Sequence, residues 1–103
     1  MIVDERTYSI QPEKMKEYLA LYESEGLPIQ KKFLRMLGYF QTEVGVLNQV
    51  VHLWVYDSME DRSRRRAELQ MAPGWKDYAA KAKPFYVKQE SRIMAPLPWS
   101  PIR

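Results

Sequence analysis

The sequence predicts an α+β domain with the ferredoxin-like order β-α-β-β-α-β, a sandwich of one sheet against helices, and three observations carry that prediction. Four stretches alternate polar and apolar side chains with period two, as half-buried strands do. The segments between the first and second stretches, and between the third and fourth, repeat apolar residues at spacings of three and four, as helices do. The short Gly45 to Asn48 connection makes the middle two strands antiparallel, which gives the split-βαβ arrangement.

Residues 2 to 10 form the first strand, with Ile2, Asp4, Arg6, Tyr8 and Ile10 on one face. Pro12 suits a first helical turn, and Met15, Tyr18, Leu19 and Tyr22 continue at helical spacing until Gly26 ends the helix. Pro28 restarts a short helical stretch through Ile29, Phe33 and Leu34, which Gly38 terminates. Tyr39 to Val44 is the second strand. Gln49 to Tyr56 is the third and the most apolar element, so it belongs at the centre of the sheet. Ser58 caps the next helix, with Asp61 three residues on in a capping-box role and Glu60 in the first turn, and the helix runs to about Met71. Pro73 opens the last helix, whose Trp75, Tyr78, Ala79 and Ala82 share a face, and Pro84 stops it. Residues 85 to 94 alternate again as the fourth strand, with Tyr86, Lys88, Glu90, Arg92 and Met94 on one side. The tail, residues 95 to 103, holds Pro96, Pro98 and Pro101 around Trp99 and should be extended.

At 103 residues the chain makes one domain, 1–103, with a core that buries roughly two-thirds of its unfolded surface. Zero cysteines exclude disulfides, thiolate catalysis and cysteine-based metal centres, and one histidine leaves little for a transition metal, so no metal and no cofactor are expected. No apolar run reaches the roughly 18 to 20 residues of a membrane helix, and no signal peptide is visible, so neither membrane nor secretion is expected and the cytoplasm is the default. The net charge of +3 is mild. Arg62, Arg64, Arg65 and Arg66 wrap around their helix rather than forming one stripe, which reads as a solvated face and not as a nucleic-acid site. Helices on one side leave the other face of the sheet half-covered, and a second copy of the chain is the cheapest cover. A homodimer is therefore expected, with Trp99 in the contact.

His52 is the one side chain that titrates near neutrality without special tuning. Along the third strand Val50, His52, Trp54 and Tyr56 share a mixed face suited to a pocket or an interface. Val51, Leu53 and Val55 share a purely apolar face suited to a continuous core. One reading is a small-molecule site built from Arg6, Tyr8, His52 and Trp54, with aromatics supplying area and polar groups orientation. In an enzyme His52 would be the general acid or base, the candidate catalytic residue, and Arg6 would hold an anionic or enolate oxygen. The competing reading makes His52 a buried histidine satisfied by Glu90 or Glu5, with Arg6 and Glu90 as an internal ion pair. Trp75 and Tyr78 read as core at helical spacing, and Tyr18 and Tyr22 line the helix–sheet contact, with a hydroxyl presented to a cleft as the alternative for these two.

Glu5-Arg6-Thr7-Tyr8, the Gly38 to Gly45 strand, Asn48, the Val51-His52-Leu53-Trp54-Val55-Tyr56 block, Arg62, Arg66, Trp75 and Ile93-Met94-Ala95-Pro96 together resemble the NIPSNAP family. The match runs in order over nearly the whole chain. Two positions depart from it: Glu13 stands where many members have glycine, and Met71-Ala72-Pro73-Gly74-Trp75 lacks the usual acidic residue before proline. The resemblance implies a dimeric α+β barrel of two ferredoxin-like sheets packed face to face, with no generally established reaction. The wider superfamily includes cofactor-independent monooxygenases, haem-degrading enzymes and chlorite dismutases, each with a cleft between sheet and helices. Longer eukaryotic members are linked to mitochondria and vesicle traffic, a role for which this sequence shows no leader. The expectation is a NIPSNAP-like protein that binds a small molecule in a polar-aromatic cleft of a homodimer or a larger assembly of itself. A non-enzymatic scaffold and a monooxygenase-like enzyme are the alternatives.

Overall fold

The computed structural model describes all 103 residues. Strands β1 (Ile2–Ile10), β2 (Arg35–Gln41), β3 (Gln49–Tyr56) and β4 (Tyr86–Met94) form one antiparallel sheet in the order β2-β3-β1-β4. This is the ferredoxin-like α+β sandwich, with the apolar β3 and the mixed polar–apolar β1 at its centre. Helices α1 (Met15–Leu21), α2 (Leu27–Gln30), α3 (Met59–Gln70) and α4 (Trp75–Ala82) complete it. None of them is long and apolar enough to cross a membrane.

The helices cover the mixed face of β3, not the apolar one. Val50, Trp54 and Tyr56 have no exposed surface and His52 is also buried, whereas Val51, Leu53 and Val55 are half-buried. The apolar triplet therefore lies on the open side, contrary to the continuous core expected for it. The reason is β1, whose Asp4, Tyr8 and Ile10 are buried on the same side as His52 and whose polar groups find partners among the helices. Asp4, fully buried, accepts from Arg62 Nε on α3 at 3.1 Å and from Ser91 Oγ on β4 at 2.7 Å, and pairs with Arg6 at 3.5 Å. A carboxylate so placed ties three elements together, because leaving it without partners in the interior costs several kcal/mol.

Two glycines and a proline act otherwise than the sequence suggests. Pro12 and Glu13 form a turn closed by Lys14 N–H donating to Gln11 O at 3.0 Å, with Glu13 at φ 67°, so α1 starts at Met15. That left-handed conformation favours glycine, so Glu13 carries backbone strain there. Gly26 does not end the helix: a π-helical turn (Tyr22–Gly26) runs directly into α2, with Leu27 N–H bonded to Tyr22 O. The wide turn loosens the backbone just before Pro28, whose missing N–H would otherwise break the ladder. Gly38 does not terminate a helix either. It lies inside β2 beside a bulge at Leu37, under the ring of Phe40. β2 accordingly begins at Arg35 and ends at Gln41, earlier at both ends than Tyr39 to Val44.

The cap of α3 forms as expected, with Asp61 N–H donating to Ser58 Oγ at 3.1 Å. Asp61 returns the bond one residue earlier than a capping box would, accepting from Asp57 N–H at 2.9 Å. Three of the four clustered arginines are bound within the chain: Arg62 to Asp4, Arg64 to Asp61 and Glu68, and Arg65 to Asp61 and to the carbonyl of Phe33.

Gly26 provides a direct test of this packing. A Cβ there would sit 2.6 Å from Tyr78 Cζ and 2.9 Å from Tyr22 Cδ1. Overpacking of that kind costs about 1–3 kcal/mol, whereas alanine gains about 1 kcal/mol over glycine in helix propensity. Gly26→Ala is expected to lose about 1 kcal/mol net in urea unfolding. A stabilised variant would show that propensity and not the contact governs this turn.

Candidate functional site

Between the covered face of the sheet and the helices lies a cleft of about 320 Å³. Six of the chain's seven tyrosines line it: Tyr8 from β1, Tyr18 from α1, Tyr22 from the π turn, Tyr39 from β2, Tyr78 from α4 and Tyr86 from β4. His52, Trp75, Gln30, Gln89 and Lys83 also contribute, and no carboxylate lines the wall. Burial raises the phenols of Tyr18, Tyr22, Tyr39, Tyr78 and Tyr86 above their ordinary range, so these groups remain O–H donors throughout the physiological pH range.

At the centre of the cleft's sheet wall His52 is held on three sides by rings. Tyr39 stacks on it at 4.5 Å with planes 7° apart, and Tyr8 meets it edge-on at 4.6 Å and 86°. The third neighbour, Trp54, donates its indole N–H to His52 Nδ1 at 2.7 Å. An indole nitrogen can only donate, so Nδ1 carries no proton and the neutral ring carries its proton on Nε2. Protonating Nδ1 would set two N–H groups against each other. Burial, then the nearby Arg6 charge, lowers the His52 pKa to about 3, with Asp4 opposing. His52 is therefore a neutral N–H donor, and its buried Nε2 has no partner within the protein. In this tautomer Nε2 has no free lone pair, so it can neither accept a proton nor ligate a metal or a haem iron without giving up the bond from Trp54.

The structure separates the four residues the sequence grouped together. His52 and Tyr8 stand on the cleft wall. Trp54, with no exposed surface, lies behind it as the partner that sets the histidine tautomer. Arg6, opposite His52 in the sheet, also stands behind the wall and donates from Nε to Tyr8 Oη at 2.9 Å, with its charge 5.6 Å from the tyrosine ring. Burial works against that charge, and contacts with Tyr8 and Asp4 outweigh it, so the guanidinium stays above its ordinary value. Neither glutamate named as a partner for His52 takes that place. β4 pairs Ser91 with Arg6 and Thr7 with Glu90, which sends Glu90 to the open face, and Glu5 there bonds Arg92 at 2.8 Å. Arg6 accordingly pairs with Asp4 and not with Glu90.

Sequence reading missed Tyr39, Tyr86 and Gln30 as cleft residues. Tyr86 turns inward because a bulge between Ser9 and Ile10 shifts the β4 register, leaving Tyr86 opposite buried Ile10. A two-residue period cannot foresee such a shift. The available signal was tyrosine itself: seven in 103 residues, several on faces assigned to the core, offer more hydroxyls than a dry core can satisfy.

The tautomer has a consequence for stability. With a native pKa near 3 and an unfolded value near 6.5, the unfolded chain binds the extra proton first as pH falls, so stability decreases from about pH 6.5 toward pH 3. His52→Asn keeps an acceptor for Trp54 and removes the titration. Denaturant unfolding at several pH values should show the stability of the parent falling relative to this variant by about 1.4 kcal/mol per pH unit in that window. A constant difference would show that His52 is not buried neutral.

Comparison with known proteins agrees with the fold. The chain is 36% identical over 92 residues to the protein NipSnap homolog of Dictyostelium discoideum, covering 89% of this chain and 41% of that relative's length. A solved NIPSNAP family protein from Agrobacterium tumefaciens superposes with a TM-score of 0.96 at 41% identity, covering 99% of this chain and 98% of the other. A cofactor-independent oxygenase from Streptomyces nogalater shares the fold, with a TM-score of 0.68 over 97% of this chain and 96% of its own, at 12% identity. Residues 3–101 match the NIPSNAP family, and the chain belongs to it.

Proposed function

We propose that this chain binds a planar organic molecule in its tyrosine-lined cleft and that two copies pair through the open face of the sheet. His52 carries the first half of the proposal: an N–H donor, 3% exposed, on the wall of a cleft large enough for a small ligand, with no acceptor in the protein. An unsatisfied buried donor costs about 1–3 kcal/mol, and a ligand oxygen would remove that cost. Six phenol rings and Trp75 supply flat apolar area around it. The likeness to the oxygenase carries the fold and no reaction.

Titration with 2-naphthol and 1,4-naphthoquinone, followed by calorimetry and tryptophan fluorescence, tests the cleft. Saturable binding at one molecule per chain is expected. His52→Asn should weaken it about tenfold, the value of one hydrogen bond of about 1.4 kcal/mol. Absence of saturable binding, or equal affinity in the variant, would refute the reading.

The second half rests on the uncovered face. Val51, Leu53 and Val55 are half-buried there, Phe40 is 58% exposed, and no helix layer lies over them. Trp99 on the tail is 79% exposed. Covering such surface gains about 25 cal/mol per Å², and a second copy brings the same apolar face to meet it. Light scattering should report a dimer for the parent chain and a monomer for Leu53→Asp. A monomeric parent chain, or an undisturbed dimer in the variant, would rule out pairing through this face.

A further inference from the structure

The hydrogen bonds behind the cleft wall determine what the wall offers. Trp54 N–H occupies Nδ1 of His52, which puts the ring's proton on Nε2. Arg6 Nε donates to Tyr8 Oη at 2.9 Å, so that hydroxyl accepts from behind and keeps its own hydrogen for another acceptor. In the Tyr18–Tyr39 pair, 3.1 Å apart, one hydroxyl gives its hydrogen and the other retains it. Gln30 Oε1 accepts from Tyr22 at 2.6 Å, leaving the amide N–H₂ of Gln30 as the unspent end. The wall thus carries a surplus of donors.

Charge runs the same way. Lys83 is the one formally charged residue lining the cleft. Behind the wall, Arg6 and Arg62 share the single carboxylate of Asp4, which leaves one positive charge uncompensated within that cluster. Arg6 presents its charge 5.6 Å from the ring of Tyr8.

We propose that the cleft selects its ligand by an oxygen carrying negative charge on a planar conjugated frame, a phenolate or an enolate, with His52 Nε2–H and Tyr8 O–H as the donors that hold that oxygen. The inference rests on the cleft being a small-molecule site and goes further by naming which end of the ligand is recognised. Trp54 and Arg6 are positioning residues that direct these two hydrogens without touching the ligand. An amine or other cation finds no carboxylate here, and a plain hydrocarbon leaves the donors unsatisfied.

The test uses 4-nitrophenol, whose phenol and phenolate absorb differently, with 4-nitroanisole as the twin that cannot ionise. Absorbance titration of the bound probe is expected to show its ionisation lowered by about one unit from the free value, equivalent to about tenfold tighter binding of the phenolate than of the phenol. His52→Asn should abolish most of this shift. Tyr8→Phe, which removes the hydroxyl and keeps the ring, should reduce it, so the result does not depend on one variant folding. A bound probe that ionises at or above its free value overturns the inference, as does 4-nitroanisole binding as tightly as the phenolate, and in both cases the cleft remains a binding site. If neither probe, nor 2-naphthol or 1,4-naphthoquinone, binds, the small-molecule reading itself falls.

Discussion

The buried indole N–H of Trp54 must find an acceptor, and His52 Nδ1 supplies it at 2.7 Å. Much of the site follows from this bond. Trp54 sits at the centre of β3 with no exposed surface, and an unpaired N–H there would cost about 1–3 kcal/mol. Satisfying it fixes the orientation and tautomer of the imidazole, turns the chain's one histidine from a base into a donor, and leaves Nε2 with no protein partner. Tyr39 and Tyr8 then hold the ring in that position by stacking and edge contact.

A second layer repeats this logic with charge. Asp4 is buried where three elements meet, and its two arginines and one serine satisfy it in full view of the cleft's rear wall. Charged groups brought into an interior are retained at a desolvation cost of several kcal/mol each, so their geometry has to be close to complete. Arg6 meets that condition by bonding Asp4, Ser91 and Tyr8 together, which links the stability of the sheet–helix contact to the orientation of a cleft hydroxyl. Arg64 and Arg65 of α3 are similarly engaged, and Asp57 N–H, ahead of Arg65, holds the Asp61 carboxylate below its ordinary range. These residues serve the fold, and their number gives no support to an anion-binding surface.

The two faces of the sheet carry different kinds of chemistry. The covered face combines polar and aromatic side chains because helices return hydrogen-bonding partners to it. The open face has an apolar centre at Val51, Leu53 and Val55 and an edge of alternating charge at Lys88, Glu90 and Arg92. Tail residues Pro96, Ser100 and Ile102 border part of that face beside Leu37 and Leu53 and leave Phe40 and Trp99 in water. Exposed apolar area of this kind, continuous across neighbouring strands, marks a surface made to be covered.

The sequence by itself determined the element order, the limits of β3, the Ser58 cap and the placement of His52 and Trp54 on one face. Each depends on contacts within a few residues, where period and capping chemistry suffice. Tertiary structure decided the rest. Which face of β3 the helices cover, the bulges that bring Tyr86 inward and carry Gly38 within β2, and the register that sets Ser91 rather than Glu90 beside Arg6 all depend on strands distant in sequence. Gly26 misled for the same reason: the close approach of Tyr78, from a helix some fifty residues on, requires a glycine inside the helix instead of at its end. Side-chain type could place a histidine next to a tryptophan, but the direction of its proton was set by a hydrogen bond that exists only once the strand is folded and buried.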